Sequence, residues 1–460
     1  MIANPARELE ERNEGAPAPE SNAHWLDLDR RYRIQSRFTH PICLERGEGA
    51  RLWDVEGRQY LDFESGQVCA SVGHSHPAYI DAVKAQLDKL VQTGSCYIDT
   101  IQVRFQQKLA QTTRGRFEQS YLVCSGSEAN EAALRLAKVH TGRSEIVSFL
   151  GNYHGHSLGS WSITGFGGAA RRGFGLPMGG VTFLPTPYDY PVPNPPRYPH
   201  RDSGVIDACL RYCRRMLDST TSGEPAAIVV ELVQSAAGVR TMPVEFVRAI
   251  RRLCDERGAL MIVDEAQTGV GRLGTWWGFE QFDVLPDVVV ASKTLGGGVP
   301  LSGILVSAEL GREAVKRGYR QSSSHTGDPL LCAAGLATIE IIEREGLVQN
   351  VARMGEYMMS KLQVLLDASP VGGEVRGRGF LIGLELVRNK ETGEPNGDAT
   401  FAFTEECRRR GMLTGWWKVP YLSANVVRLM PPYNLTQREA DEALGIVEES
   451  LEAIGSTEIG

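Results

Sequence analysis

The 460-residue chain lacks several features that would set it apart from ordinary globular proteins. No stretch approaches the roughly 18 consecutive apolar residues of a membrane-spanning helix. Its nine cysteines include no CxxC pair, and Cys209 and Cys213 have no histidine cluster beside them. An odd cysteine count argues against a disulfide framework, and the spacing argues against a zinc site. We therefore expect a protein of a reducing, cytoplasmic compartment.

The chain also lacks an excess of basic charge, because 49 Lys and Arg residues stand against 56 Asp and Glu residues. The net charge of −7 and the pI of about 5.8 argue against non-specific binding to nucleic acid. A hydrophobic content of 42% and a charged content of 23% are typical of a globular protein with an ample core.

The length suggests two or three domains at roughly 150 residues each. Residues 1–24 are charged, rich in Ala, Pro and Glu, and have no apolar signal core, which predicts a flexible leader.

Strand and helix patterns alternate through the middle of the chain. The apolar runs are QSYLVC, EIVSFL, VTFLP, AAIVVEL, ALMIVDEA and DVVVAS, with helical patterns between them. This order predicts an α/β fold, with a mostly parallel sheet buried by helices on both faces, in a large domain at residues 66–330. Residues 331–460 predict a smaller α+β domain, in which VRGRGFLIGLELV is a single strand. We expect residues 25–65, with a hairpin at 52–63, to pack with the smaller domain.

Two of the apolar runs end in a charged residue. Asp264 ends ALMIV and opens DEAQTGVGR, whereas Lys293 follows PDVVVAS and precedes TLGGG. Charged residues in these positions lie at the edge where open α/β sheets bind ligands. A lysine that forms a Schiff base and a carboxylate that pairs with a pyridine nitrogen are the groups that hold pyridoxal 5'-phosphate (PLP). The alternative interpretation of these two residues alone is a structural salt bridge.

Two further motifs supply other parts of such a site. In CSGSEANE, Ser125, Gly126 and Ser127 begin a helix after a strand, which predicts a phosphate site at the helix N-terminus. The same letters also suit an ordinary capping box. In NYHG, Tyr153 is expected to stack on the cofactor ring and His154 to pack beside it, although such a pair is also common in plain packing.

Three more candidate cofactor ligands follow from position. Gln267 lies three residues past the aspartate and could reach the phenolic oxygen of PLP. Glu231 ends the strand AAIVVE at the same sheet edge. Ser324, in QSSSHTGDPL, is a candidate second phosphate ligand.

Taken together, VDEAQTGVGR, ASKTLGGG, SGSEANE, NYHG and GHSHP resemble the class III (subgroup II) aminotransferase family of PLP-dependent fold type I. The resemblance extends from about Leu52 to Pro432. It implies a large domain with a central seven-stranded sheet, a small domain, and a homodimer or tetramer with active sites at the subunit interface. It also implies that Ser324, where the family usually has Thr, reaches into the site of the neighbouring subunit.

Within this family, DFESGQVCASVGHSHP most resembles the 2,2-dialkylglycine decarboxylases. That resemblance implies that Gln67 assists loss of a carboxylate and that Arg428 binds the substrate carboxylate, and it leaves open an alkali-metal site near Ser95 and Asp328. Many family members carry an acidic partner for this arginine at the position of Ala236. We therefore expect an unpaired Arg428 that receives a carboxylate, with an interdomain strut as the alternative.

The expected function is a ping-pong aminotransferase that moves an amino group from an amino acid-type donor to a 2-oxo acid. Lys293 would act as general base and acid on the donor carbon, and Asp264 would keep the pyridine nitrogen protonated. Decarboxylation-dependent transamination and amino-acid epimerisation are the enzymatic alternatives. A non-enzymatic PLP-fold binding protein is the remaining one. Small molecules are the expected partners, without nucleic acid or membrane.

Overall fold

The structure is a computed structural model that describes residues 18, 20–34, 40–167, 171–173, 175, 177–193, 196–416 and 425–455. Its helices are α1 (Asn22–Tyr32), α2 (Pro77–Leu87), α3 (Thr100–Thr112), α4 (Gly126–Thr141), α5 (Leu158–Ser162), α6 (Ser203–Thr220), α7 (Val244–Arg257), α8 (Ala308–Lys316), α9 (Pro329–Arg344), α10 (Leu347–Ala368), α11 (Gly397–Arg409) and α12 (Gln437–Gly455).

The strands are β1 (Leu44–Glu48), β2 (Arg51–Asp54), β3 (Gln59–Phe63), β4 (Gln119–Val123), β5 (Ile146–Phe149), β6 (Val181–Leu184), β7 (Ala227–Val230), β8 (Val233–Gln234), β9 (Arg240–Thr241), β10 (Leu260–Asp264), β11 (Val288–Ala291), β12 (Ser302–Val306), β13 (Gly372–Arg378), β14 (Leu381–Asn389), β15 (Glu394–Pro395), β16 (Met412–Trp416) and β17 (Val426–Leu429).

A seven-stranded sheet forms the centre of the described structure, in the order β4-β12-β11-β10-β7-β5-β6. From β11 to β6 all neighbours are parallel, and two of these strands, β7 and β11, are fully buried runs of Val, Ile and Ala. Such runs are stable because helices cover both faces of the sheet. The predicted α/β fold with a mostly parallel sheet is therefore confirmed. The antiparallel strand β12, which pairs with both β11 and β4, was not predicted.

A second sheet joins strands from the two ends of the chain, in the order β1-β2-β3-β16-β17-β14-β13, with β15 paired to β14. The predicted hairpin at 52–63 is confirmed as β2 and β3. The single strand predicted for VRGRGFLIGLELV is wrong, because β13 and β14 form a hairpin there. Gly379, between these strands, has a φ of +52°, a conformation that glycine adopts without steric cost. The domain boundaries stay a prediction.

The predicted leader ends earlier than expected. Helix α1 begins at Asn22, because the Ser21 side chain accepts a hydrogen bond from the backbone N–H of His24 and caps the helix. The Asn22 side chain also bonds to the Cys43 backbone and to Asp54, which ties this helix to β2. The flexible leader predicted for residues 1–24 is therefore wrong from Asn22 onward. Residues 1–17 and 19 lie outside the described residues.

All nine cysteines are free thiols. Cys209 and Cys213 lie one turn apart on α6, buried, and both contact the carbonyl of Pro185. Among the described residues, no helix combines the length and the apolar character that crossing a bilayer requires.

Candidate active site

Three charged residues follow the carboxyl ends of three neighbouring strands. Glu231 follows β7, Asp264 ends β10, and Lys293 follows β11 by two residues. Since β11, β10 and β7 are adjacent and parallel, these residues converge on one edge of the central sheet. The alternation of strand and helix in the sequence predicted this placement of the three residues.

A cavity of about 290 Å³ lies at this edge. Seven predicted site residues line it, namely Ser125, Gly126, Ser127, Tyr153, His154, Asp264 and Lys293. Side chains that were not predicted line it as well, among them Cys69, Asn130, Ser292 and Ser302. The cavity therefore combines a helix N-terminus, an aromatic ring, a carboxylate and an amine.

Lys293 occupies an unusual position at the cavity wall. Its backbone has a φ of +47°, in the left-handed region that costs a non-glycine residue roughly 1 kcal/mol or more. Desolvation lowers the pKa of its amine, against the opposing charges of Asp264, Cys69 and Glu231. A lowered pKa leaves more of the amine uncharged near neutral pH, which is the nucleophilic form.

Asp264 is held by three hydrogen bonds. Its Oδ2 faces His154 Nδ1 at 2.8 Å and accepts from Asn130 Nδ2 at 2.8 Å, and its Oδ1 accepts from the Ala266 N–H at 3.0 Å. Burial by itself would raise the pKa of Asp264, but the bonds from His154 and Asn130 lower it below the usual value. The carboxylate therefore stays ionised and oriented, as a partner of a cationic ring nitrogen must be.

Asn130 is a site residue that sequence reasoning missed. It lies four residues after Gly126 on α4, on the same face of the helix, and its amide also donates to the His154 carbonyl at 3.0 Å. The signal that could have found it is this i, i+4 spacing from the predicted phosphate turn. Asn130 thus links the helix N-terminus to the carboxylate.

The N-terminus of α4 is compatible with both interpretations of CSGSEANE, the capping box and the phosphate site. Ser125 caps α4 in a capping box with Glu128, so its hydroxyl serves the helix. Gly126 and Ser127, in the first turn, present N–H groups that have no partner in the α-helical pattern. A Cβ on Gly126 would lie 3.2 Å from Ser292 Oγ, so the backbone approaches its neighbours closely here. This geometry suits a bound phosphate group.

Tyr153 and Glu231 are adjacent in the structure. The Glu231 carboxylate accepts the Tyr153 backbone N–H, and burial raises the pKa of this carboxyl well above the usual value, with a further contribution from the Asp264 charge. The Tyr153 ring lies 5.5 Å from the His156 ring and 5.7 Å from the Phe166 ring. Glu231 supports the wall of the cavity without lining it.

Gln267 Oε1 and His154 Nε2 are among the buried polar atoms that have no hydrogen-bond partner in the described structure. Gln267 lies three residues past Asp264, as the sequence indicated. Such atoms are stabilised when a polar ligand pairs with them. Together with the anion site at α4 and the ionised Asp264, they fit a pyridine ring that carries a phosphate and a phenolic oxygen.

Besides Glu231 and Gln267, three predicted residues do not line the cavity. Ser324 is exposed, and its carbonyl accepts from Gln92 Nε2 at 2.9 Å. Gln67 is also exposed, in a turn whose φ angles are all left-handed. Arg428 is buried near Lys293, and its charge contributes to the low pKa of the lysine.

The expectation of an unpaired Arg428 is wrong. Its Nη1 donates to Ser235 Oγ at 3.4 Å, and the charge of Glu64 raises the pKa of the guanidinium against the effect of burial. Residue 236 is an alanine, as the sequence shows. The carboxylate whose charge raises the pKa of Arg428 belongs instead to Glu64, in a distant part of the chain.

The residues considered for an alkali-metal site are engaged with other side chains. His325 Nδ1 lies 2.7 Å from Asp328 Oδ2, and Ser95 Oγ lies 3.1 Å from Ser322 Oγ. Within the described ranges, no three His, Cys, Asp or Glu side chains form a group that could hold a metal ion.

Comparisons with known proteins agree with this site. The model of the class-III aminotransferase family matches residues 34–451. The chain is 34% identical to the acetylornithine aminotransferase of Archaeoglobus fulgidus, over 92% of this chain and 99% of that protein. It is 31% identical to the leucine/methionine racemase of Thermococcus litoralis, over 92% and 94% of the two chains. An amine transaminase from an uncultivated Pseudomonas species, in a PLP-bound form, superposes with a TM-score of 0.82 at 28% identity, over 92% of this chain and all of that one.

The chain belongs to the class-III aminotransferase family. It is a PLP-dependent aminotransferase, which moves an amino group from an amino acid-type donor to a 2-oxo acid. The family resemblance seen in the sequence is thus confirmed. The narrower resemblance to the decarboxylase group is not supported by these relatives, whose names are an aminotransferase, a racemase and an amine transaminase.

Proposed function

We propose that this aminotransferase acts on amino donors that carry a carboxylate, which Arg428 binds, while Lys293 moves the proton at the reacting carbon. The observation that carries the proposal is the convergence of Lys293, Asp264 and the N-terminus of α4 on one cavity, with Arg428 close enough to act on the lysine. An arginine fork binds a carboxylate through two parallel hydrogen bonds, so it would orient the donor as well as hold it.

The residues divide the chemistry between them. Bound PLP supplies an electron sink for the negative charge that develops on the donor carbon. Lys293 Nζ removes the proton from the donor carbon, and in the second half of the reaction it delivers a proton to the carbon of the 2-oxo acid that receives the amino group. Its lowered pKa suits a general base near neutral pH. Asp264 keeps the ring nitrogen protonated, and His154 and Asn130 keep Asp264 ionised and in place.

The remaining predicted ligands would hold the cofactor. Gly126 and Ser127 would bind its phosphate through backbone N–H groups, with Ser125 as the cap of the same helix. Tyr153 would lie against the ring, and Gln267 would bond to the phenolic oxygen. We further propose a cytoplasmic homodimer in which Ser324, exposed in the single chain, completes the phosphate site of the neighbouring subunit.

Transamination without loss of CO₂ is the favoured reaction. A decarboxylating enzyme would need Gln67 to act on the donor carboxylate. Gln67 is exposed and does not line the cavity, whereas Arg428 is buried close to Lys293. Arg428 would hold the donor carboxylate and leave the proton on the donor carbon as the group that Lys293 removes.

Replacement of the lysine tests the proposal. We expect Lys293→Ala to lower kcat by at least about 10³-fold, because it removes both the attachment point and the general base. Borohydride reduction of the wild-type holoenzyme, followed by peptide mapping, should place the label on residue 293. Lys361→Ala, at an exposed position of α10, is the matched control and should behave like the wild type. Normal turnover by Lys293→Ala, or a label on another residue, would contradict the assignment.

A further inference from the structure

The hydroxyl of Thr294, the residue after Lys293, contacts three separate parts of the chain. Its Oγ1 lies 2.7 Å from Ser71 Oγ and 3.4 Å from the Tyr433 hydroxyl, and it donates to the Val68 carbonyl at 3.2 Å. Thr294 is 2% exposed, so water does not compete for these contacts. The backbone next to the lysine is therefore tied to the turn after β3 and to the segment after β17.

Arg272 holds Ser71 in place from another side. Its Nη2 donates to Ser71 Oγ at 2.8 Å, and its Nη1 donates to the Pro431 carbonyl at 2.6 Å. The guanidinium is fully buried, and a hydrogen bond from a buried charged group is stronger than one between neutral groups in water. A guanidinium is also planar and rigid, which fixes the directions of its N–H groups. Ser71 therefore has little freedom to turn away from Thr294.

A second hydroxyl pair holds the residue before the lysine. Ser292 Oγ lies 2.8 Å from Ser302 Oγ of β12, and both residues line the cavity. Lys293 thus lies between two residues with anchored side chains, Ser292 and Thr294. Its φ of +47° is a conformation that a residue with a Cβ keeps only when its surroundings enforce it. The two anchors provide such surroundings.

The conformation of the Lys293 backbone decides where its amine can reach. The lysine side chain has a flexible stem, so the backbone is the fixed point from which the amine moves. Misplacement of a reacting group by about 1 Å can lower a rate by about 10²-fold. Loss of an anchor would let the backbone relax toward an ordinary φ, and the amine would then move away from the donor carbon.

We propose that Thr294 is a positioning residue for the proton transfer at the donor carbon: its hydroxyl, held through Ser71 by Arg272, keeps Lys293 in the left-handed conformation from which the amine reaches that carbon. The inference rests on the proposed function of Lys293 and goes beyond it. Thr294, Ser71 and Arg272 do not line the cavity, so they act through the lysine. Their loss should therefore change kcat and leave the KM for the donor unchanged.

Thr294→Val keeps the shape of the side chain and removes its hydroxyl. In the holoenzyme, with L-alanine as donor and 2-oxoglutarate as acceptor, we expect kcat to fall about 10-fold and the KM for alanine to stay within about twofold. Thr294→Ser keeps the hydroxyl and should keep kcat within about twofold of the wild type. Thr400→Val on α11 is the matched control, because this threonine is also buried and its hydroxyl donates to the Asn396 carbonyl at 2.7 Å. It should leave kcat unchanged.

Hydrogen exchange of the cofactor-free protein gives a second readout, which depends neither on turnover nor on the choice of donor. In Thr294→Val we expect the backbone amides of residues 292–297 to exchange about 10-fold faster, since local opening of this segment becomes easier. The same amides should exchange at the wild-type rate in Thr294→Ser and Thr400→Val. A general destabilisation would instead speed exchange throughout the chain.

Wild-type kcat in Thr294→Val overturns the proposal. So does a rise in exchange that is as large elsewhere in the chain as at residues 292–297, or an equal loss of kcat in Thr294→Ser. If Thr294→Val does not fold, Ser71→Ala decides in its place, because it removes the partner of the hydroxyl. A lower kcat with an unchanged KM in Ser71→Ala supports the proposal, and a wild-type kcat opposes it.

Lys293→Ala separates this inference from the proposed function. If Lys293→Ala turns over at the normal rate, the proposed role of the lysine fails. If Lys293→Ala is inactive while Thr294→Val shows wild-type kcat and wild-type exchange, only the role of Thr294 fails.

Discussion

Asp264 shows how single contacts tune one functional group. Its carboxylate is buried at the end of β10, yet hydrogen bonds from His154 and Asn130 keep its pKa below the ordinary value. Since the folded-state pKa is lowered, the ionised form contributes stability above the pKa of the unfolded chain, near 4. That contribution is lost as the pH falls through the lower folded value. The activity should therefore show no acid limb from Asp264 near neutral pH.

Asp264→Asn removes this charge and keeps the shape of the side chain. We expect kcat to fall by about 10²- to 10³-fold, because a neutral amide cannot stabilise a protonated ring nitrogen. Steady-state kinetics with a saturating donor measures the change. Asp218→Asn, an exposed aspartate of α6 that pairs with Arg257, is the control. A kcat within about twofold of the wild type in Asp264→Asn would contradict the role of the carboxylate.

At the scale of elements, the turn after β3 is built from four consecutive left-handed residues. Ser65, Gly66, Gln67 and Val68 have φ angles of 50°, 56°, 59° and 71°. Such a run is costly for residues with a Cβ, and hydrogen bonds at its end offset the cost. The hydroxyls of Ser71 and Thr294 both donate to the Val68 carbonyl at 3.2 Å, which links the turn to the residue after Lys293.

Gly66→Ala tests the conformation of this turn. An added Cβ would contact nothing within 4 Å, so the backbone strain acts alone. We expect a loss of about 1 kcal/mol in the free energy of unfolding, measured by urea denaturation. Gly445→Ala, also without close neighbours but inside helix α12, should change stability in the opposite direction by about 0.5–1 kcal/mol. Equal effects at the two positions would argue against a strained turn.

A second contact between elements depends on a buried glutamate, Glu374, which holds the segment before α6 against β13. Glu374 is 3% exposed and pairs with Arg201 and with Arg376 at 3.1 Å, while His200 lies 3.6 Å away. Burial alone would raise the pKa of Glu374, but His200 and the two arginines lower it to about 2. The ionised carboxylate therefore stabilises the fold above pH 4.5, and the effect disappears as the pH falls from about 4.5 to about 2.

Glu374→Gln should lower the free energy of unfolding by about 3 kcal/mol at pH 7. At pH 3 the difference from the wild type should be less than about half of that value. Urea denaturation at the two pH values measures both numbers. Glu309→Gln, at an exposed position of α8, should show almost no difference at either pH. A larger difference in the free energy of unfolding at pH 3 than at pH 7 would contradict this prediction.

For the whole molecule, the proposed dimer predicts that an inactive variant and a variant with weak PLP binding complement each other. Lys293→Ala alone should be inactive, and Ser324→Ala alone should bind PLP about 10-fold more weakly, since one phosphate hydrogen bond is lost. In a mixed dimer, one site receives both changes and the other receives neither, if Ser324 reaches across the interface. Mixing the two variants at low PLP should therefore restore activity. If mixing does not restore activity, Ser324 either binds the phosphate in its own subunit or does not bind it.

Another whole-molecule feature is the buried guanidinium of Arg272, which connects distant parts of the chain. It is fully buried, donates to the Pro431 carbonyl at 2.6 Å and to Ser71 Oγ at 2.8 Å, and lies 4.5 Å above the Tyr433 ring. Arg272 belongs to DEAQTGVGR, a motif in which the sequence analysis assigned roles to Asp264 and Gln267 but not to the arginine. The arginine fastens the segment after β10 to the end of the second sheet.

Much of the fold and seven of the residues that line the cavity could be predicted from local patterns. Asp264 and Lys293 were found because a charged residue at the end of an apolar strand is visible in the sequence, and the fold brings such ends together. Asn130 was missed although it lies one helical turn after Gly126, and Cys69 was missed because nothing in the sequence of a turn indicates which neighbour a side chain faces. The antiparallel strand β12 was missed because its short apolar run resembles any buried segment.

The sequence by itself determined the order of strands and helices, the cofactor chemistry and the edge of the sheet where that chemistry lies. Periodicity and strand-end charges are local properties, which neighbouring residues set. Only the tertiary structure decided which charge compensates Arg428, because Glu64 lies 364 residues away in the sequence. Electrostatic partnership depends on distance in space and on exclusion of water, and neither can be read from order along the chain.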